Sequence, residues 1–220
     1  MKKLRIVGLL AIGLLAGSAA AQAAPVTLTL TGAGSNVMGG VYIGPYTAKD
    51  SSGNSFPIIC DDFASDSFIN ETWTANVSTF DDLSGTKFGA TDPNGYNEAA
   101  WLSNKLLDPS VTGATAGAIQ FAIWQIFTPT AFNSLSGTNL TNAQSWLQQA
   151  QNQTYTAGEF SNFIIFTPTG AAPSCAGYSN NQCPSSPPQE FITRVPEPAT
   201  LPLLAIGFAA VFLVRSRKLA

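Results

Sequence analysis

Two residues of this chain have side chains that could react with each other: Cys60 in PIICDDF and Gln120 in GAIQFAIWQIF. Both stand in apolar runs, where a buried carboxamide without partners costs about 1–3 kcal/mol. Attack of the thiolate on the amide carbonyl would expel ammonia and leave a thioester, turning two awkward groups into one apolar bond. An apolar pocket would also keep water from that bond. The alternative is plainer: Gln120 bonds to neighbouring backbone, and Cys60 is a small buried hydrophobe. The chain contains no histidine. That removes Ser/His/Asp and Cys/His catalysis, His-ligated zinc, and the usual base at neutral pH.

The remaining reactive groups sort by their settings. Cys175 and Cys183 lie in APSCAGYSNNQCPSSPP, a Pro/Ser/Gly/Asn-rich loop between two expected strands. A local disulfide pinning that loop is the economical reading, worth about 2–3 kcal/mol through loop closure. Cys60 is then the odd cysteine, read as an intermolecular bridge or a reactive thiol. The acid pairs Asp61-Asp62 and Asp81-Asp82 match no EF-hand and no nonapeptide calcium repeat. They read as solvated turn acids, with calcium binding as the lesser alternative, so neither a metal nor a cofactor is expected. A hydrolase built on paired carboxylates is the weakest reading. No pair sits in a cleft motif, Glu98 and Asp108 read as solvated helix-end acids, and the protein is expected not to be an enzyme.

The elements that must position Cys60 and Gln120 follow from periodicity. Val26–Leu30 alternates Thr with apolar residues, as a half-buried strand does. Val41–Tyr46 and Phe56–Phe63 follow as strands on either side of the turn segment AKDSSGNS, and Trp73–Phe80 alternates again. Tyr96–Leu107, Thr115–Phe127 and Asn139–Gln151 have the helical period, the last with Asn139 or Thr141 as its cap. On the second helix Ala116, Gln120, Ile123, Trp124 and Phe127 share a face. Strands Asn162–Thr167 and Gln189–Thr193 close the domain. The expected fold is α+β, an antiparallel sheet or barrel with a two- to three-helix insertion. Trp73, Trp101 and Trp124 read as core rather than as a ligand platform.

The two ends of the chain read as addresses. Lys2, Lys3 and Arg5, the apolar run Ile6–Leu15 and a small-x-small site ending at Ala23 form a secretory signal peptide over residues 1–23. Residues 24–193 are the expected exported domain. It carries Lys49, Lys87 and Lys105 against 12 of the 13 acids, a balance of −9 that repels nucleic acid. Residues 195–220 hold Val195-Pro196-Glu197-Pro198, the apolar run Leu201–Val214, then Arg215, Arg217 and Lys218. Its 14 residues are short for a span of about 20, and the basic cluster would stay cytoplasmic. With Pro196, Glu197 and Pro198 as its motif, this segment resembles the PEP-CTERM sorting signal of Gram-negative bacteria. The resemblance implies secretion machinery and an exosortase as partners. It implies inner-membrane anchoring through the C-terminal helix before processing, then delivery to the cell surface or extracellular matrix. Such proteins accompany exopolysaccharide and biofilm production.

Ile119-Gln120-Phe121-Ala122-Ile123-Trp124 resembles the Φ-Q-x-A-I-W motif of bacterial thioester domains, adhesin modules with an internal Cys–Gln crosslink. Ile59-Cys60-Asp61 is similar to the cysteine segment of that family, and the helix bearing Tyr96 and Ala99-Ala100-Trp101-Leu102 is similar to its layout. The resemblance implies that Cys60 supplies the sulfur and Gln120 the acyl carbon. Trp124, Ile59, Asp61 and Ala122 would form the pocket around the bond. It also implies covalent capture of a target nucleophile, typically an amine. Two departures stand out: Ile59 replaces an aromatic residue, and the Cys–Gln spacing is shorter than in the Gram-positive adhesins. The competing reading is a non-covalent structural or polysaccharide-binding component of the matrix, contacting its target through exposed amides and aromatics.

Overall fold

Threonine and leucine alternate in VTLTLTG because one side of the strand is wet. In the computed structural model, which describes residues 24–170 and 187–195, β1 (Val26–Gly32) buries Leu28 and Leu30 and exposes Thr27. β4 (Tyr46–Asp50), β5 (Ser55–Cys60), β6 (Thr72–Thr79), β7 (Phe163–Pro168) and β8 (Phe191–Arg194) join it in a closed barrel. The order is β1-β4-β5-β8-β7-β6, every neighbour antiparallel. β2 (Val37–Met38) and β3 (Val41–Tyr42) form a separate small hairpin. The helices α1 (Pro93–Leu106), α2 (Gly113–Phe127) and α3 (Gly137–Gln151) are inserted between β6 and β7. The architecture is therefore α+β, with an antiparallel barrel and a three-helix insertion.

α2 is the centre of the insertion. It packs between α1 and α3 and touches β2 and β5. Every residue from Ala116 to Trp124 is buried, so its apolar face is the whole circumference, wider than a single stripe. Gly117 lets this happen on one side, since a methyl group there would collide with the Met38 thioether of the hairpin. α1 starts where its sequence says, with Pro93 in the first turn and the Asp92 carboxylate accepting from the Gly95 N–H at 2.9 Å.

Several expectations are corrected. Val41–Tyr46 is not one strand: it ends at Tyr42, and β4 begins at Tyr46 after the Gly44-Pro45 peptide and runs on into AKDSSGNS. Proline has no N–H for a ladder, and the Gly44 N–H is committed elsewhere. β5 stops at Cys60 instead of Phe63. α3 starts at Gly137 after Ser136, and Thr141 bonds back to the Gly137 carbonyl inside the helix rather than capping it. Asp81 and Asp82 are exposed, as turn acids should be, but Asp61 and Asp62 are fully buried. Glu98 is half-buried on α1, and burial raises its carboxyl above the ordinary range.

Among the described residues no helix is long and apolar enough to cross a membrane. The signal peptide with Ala23, the Cys175–Cys183 disulfide, Pro196, Glu197, Pro198 and the apolar run Leu201–Val214 lie outside the described residues.

Candidate functional site

Cys60 is the last residue of β5, opposite Phe191 of β8, and Gln120 lies at the middle of α2. The Gln120 side chain meets the Cys60 backbone where α2 crosses the end of β5. The Gln120 Nε2 donates to the Cys60 carbonyl at 2.7 Å, and its Oε1 accepts the Gly44 N–H at 3.2 Å. One turn along α2, the Trp124 indole N–H donates to the Cys60 sulfur at 3.3 Å. The thiol itself donates to the Asp62 carbonyl at 3.3 Å. Cys60 and Gln120 are wholly shielded from solvent, and Cys60 carries a free thiol.

Each contact has a chemical meaning. The Gly44 N–H sits on the oxygen where negative charge would develop during attack on the amide, the placement an oxyanion donor needs. A Cβ at position 44 would stand 2.7 Å from Gln120 Oε1, so any larger residue there displaces the amide. The Trp124 N–H favours a charged sulfur. Against it, burial first, and then any negative charge on Asp61, push the Cys60 thiol well above its ordinary range. The resting thiol is neutral and needs a proton acceptor to react.

Behind the thiol lies a pair of buried acids. The register Cys60↔Phe191 places Asp61 across from Glu190, and the Asp61 N–H donates to the Glu190 carbonyl at 3.3 Å. Glu190 accepts from the Tyr96 and Thr167 hydroxyls and from the Lys87 N–H at 2.8 Å. Neither carboxyl oxygen of Asp61 has a donor partner. Burial, then Glu190, raises the Asp61 carboxyl well above its ordinary range. Burial raises Glu190 too, but the Thr167, Tyr96 and Lys87 donors pull the other way. Asp62, also buried, forms an ion pair with Lys87, whose ammonium also donates to Ser65 at 3.0 Å.

A cleft of about 670 Å³ opens beside this corner. Tyr46, Phe63 and Trp124 line it, and the Phe63 and Trp124 rings stand 5.0 Å apart. Tyr42 and Ile69, 57% and 44% exposed, stand among its walls. Asp66 is its one charged lining residue. The cleft thus mixes apolar walls with Ser65, Ser67, Asn70 and Gln189, carries one acid, and has as one wall Trp124, whose indole is hydrogen-bonded to the Cys60 sulfur.

Of the residues singled out from sequence, Cys60, Gln120 and Trp124 come together. Ile59 alternates to the other face of β5 and is core, opposite Ile192. Asp61 turns to Glu190. Ala122 lies two positions from Gln120, on the far side of a fully buried helix. Sequence reasoning missed Gly44, Lys87, Thr167 and Glu190. Gly44-Pro45 did carry a signal, since glycine before proline marks a close turn. Glu190 carried none, as its partner is 129 positions away in a chain whose closing strand gives no hint of an acid opposite.

A comparison with curated proteins returns no match. Among solved structures, the pilus-presented adhesin Spy0125 (Cpa), in a cysteine-to-alanine form, is similar at a TM-score of 0.42 and 15% identity. The likeness covers 76% of this chain and 44% of that one, so this chain spans less than half of the adhesin's length. That is too distant to establish a shared fold. At the C-terminus the comparison is specific: residues 194–218 match the PEP-CTERM protein-sorting motif. The motif marks an exported protein that is anchored in the membrane in transit and ends on the cell surface, and Pro196-Glu197-Pro198 lies within the matched residues.

Proposed function

We propose that the exported domain closes a thioester between Cys60 Sγ and Gln120 Cδ and uses it to capture a primary amine on an extracellular target. The observation that carries this reading is the Gln120 carboxamide laid against Cys60, with the Gly44 N–H on its oxygen. In closing, the S–H and C–N bonds break, an S–C bond forms, and the thiol proton leaves with nitrogen as ammonia. In capture, an amine nitrogen attacks Cδ, the C–S bond breaks, an amine proton passes to the sulfur, and the new amide joins the target to Gln120. Shielding from water protects the bond, while the neighbouring cleft gives an amine its approach. Asp66 and the −9 balance favour a cationic partner. Exosortase processing of the sorting signal would leave the domain at the surface or in the matrix, where such a partner is met.

Intact mass tests the reading. The mature protein should weigh one ammonia less than its sequence, after allowing for the Cys175–Cys183 disulfide, and Cys60→Ala should abolish the loss. An unchanged mass for the natural chain defeats it. A second reading draws on the cleft, whose Tyr42, Asn70 and Gln189 suit a polysaccharide held without a covalent bond. Methylamine separates the two: incorporation at Gln120 supports capture, and absence of incorporation supports simple binding.

A further inference from the structure

We propose that Asp61 and Glu190 share one proton, held on Asp61, and that this neutral acid keeps negative charge away from the thiol while Cys60 reacts. The inference rests on the thioester reading for its second half only. Its basis is the distribution of donors. Glu190 receives two hydroxyls and a backbone N–H, which suits an anion, whereas Asp61, equally buried, receives nothing at either oxygen. Two ionised carboxylates directly across an antiparallel pair repel each other. A protonated Asp61 removes the conflict, because its O–H becomes the donor and Glu190 the acceptor.

The other charged and titratable groups around Asp61 leave no alternative counter-charge. Asp62, next along the chain, is taken by Lys87, whose ammonium is turned to Asp62 and Ser65. Tyr96 on α1 gives its hydroxyl to Glu190. Cys60 donates its thiol proton to the Asp62 carbonyl. No cation faces Asp61 among the described residues.

The consequence lies next door. Closing or opening the thioester builds negative charge on sulfur and on Gln120 Oε1. Trp124 and Gly44 each offer one N–H to that charge, and an anionic Asp61 would oppose both. Glu190 therefore acts on Cys60 through Asp61, as a positioning residue.

Two measurements on the full-length mature protein test this. Infrared spectra of protein labelled with ¹³C-aspartate should show, at neutral pH, the carbonyl band of one protonated aspartic acid. Asp61→Asn should remove that band, Asp62→Asn should leave it, and Glu190→Gln should remove it, because a donating amide now faces Asp61 and lets it ionise. This band places the proton whether or not a thioester forms; its survival in Asp61→Asn overturns the assignment. The second measurement is the rate of methylamine incorporation. Glu190→Gln should slow it at least about tenfold, the effect of one unit of pKa. The double variant Asp61→Asn/Glu190→Gln should react faster than Glu190→Gln alone, because no carboxylate is left at position 61 to ionise beside the thiol. A double variant as slow as Glu190→Gln alone would reduce Glu190 to a structural support and overturn the electrostatic role.

Discussion

α2 and α3 are neighbouring helices of 15 residues each, and neither has a side-chain cap at its N-terminus. They differ in what surrounds them. α2 is buried from Ala116 to Trp124, whereas α3 buries only Ala143 and Ala150 and gives most of its surface to amides and hydroxyls. Both carry glutamine. Gln120 on α2 is shielded from water and holds two backbone partners from different loops and strands. Gln148, Gln149 and Gln151 on α3 stand in solvent. The same side chain thus serves solvation on one helix and a fixed geometry on the other. What separates them is the demand that a buried amide find partners, and that demand brings Gln120 against Cys60.

The contrast is easiest to break through packing. Phe121→Ala on α2 should cost about 3–5 kcal/mol, the range for a large core aromatic, since Phe121 is fully buried and its ring meets Trp124 at 4.9 Å and Phe63 at 5.8 Å. Leu147→Ala on α3, where the side chain is half-buried, should cost about 1 kcal/mol. Urea unfolding gives both values. Equal losses would mean that α3 is as much part of the core as α2.

A smaller change sharpens the comparison at the site. Gly44→Ala places a methyl group 2.7 Å from Gln120 Oε1, so the amide must swing away and leave the Gly44 N–H and the Cys60 carbonyl unpaired. The expected loss is about 2 kcal/mol, together with disappearance of the ammonia deficit from the intact mass. If Gly44→Ala keeps both stability and deficit, the N–H on the amide oxygen has no part in closing the bond.

These residues also show how far the sequence could be read. The α+β class, the three helices and the burial of Cys60 and Gln120 were legible, because each depends on local period or on the apolar run around it. With no histidine and two cysteines assigned to a loop, one thiol and one isolated core amide remained. Asp61 was misread because Asp-Asp after a strand looks like any turn; only the return of β8 beside β5 covers it. Glu190 was missed for the same reason, since a cross-strand partner is a property of topology. The break at Gly44 was missed because VYIGPY has strand-forming residues on both sides, and the need for a bare backbone facing Gln120 arises only when α2 is in place.

The smallest expected effect is the most discriminating. Gln149 is exposed, and its amide reaches only one turn back, to the Ser145 carbonyl at 3.3 Å and hydroxyl at 3.4 Å. Gln149→Ala loses that weak contact and gains a little helix propensity, so its stability should stay within about 0.5 kcal/mol. Its chemistry should be equally silent. An unactivated carboxamide does not exchange with methylamine, however exposed it is, whereas an acyl group already carried by sulfur does. Peptide mapping of methylamine-treated protein should therefore find the label on the buried Gln120 and none on Gln148, Gln149 or Gln151. Label spread over the α3 glutamines would mean that accessibility governs the reaction, and the distinction between the two helices would then hold for packing alone.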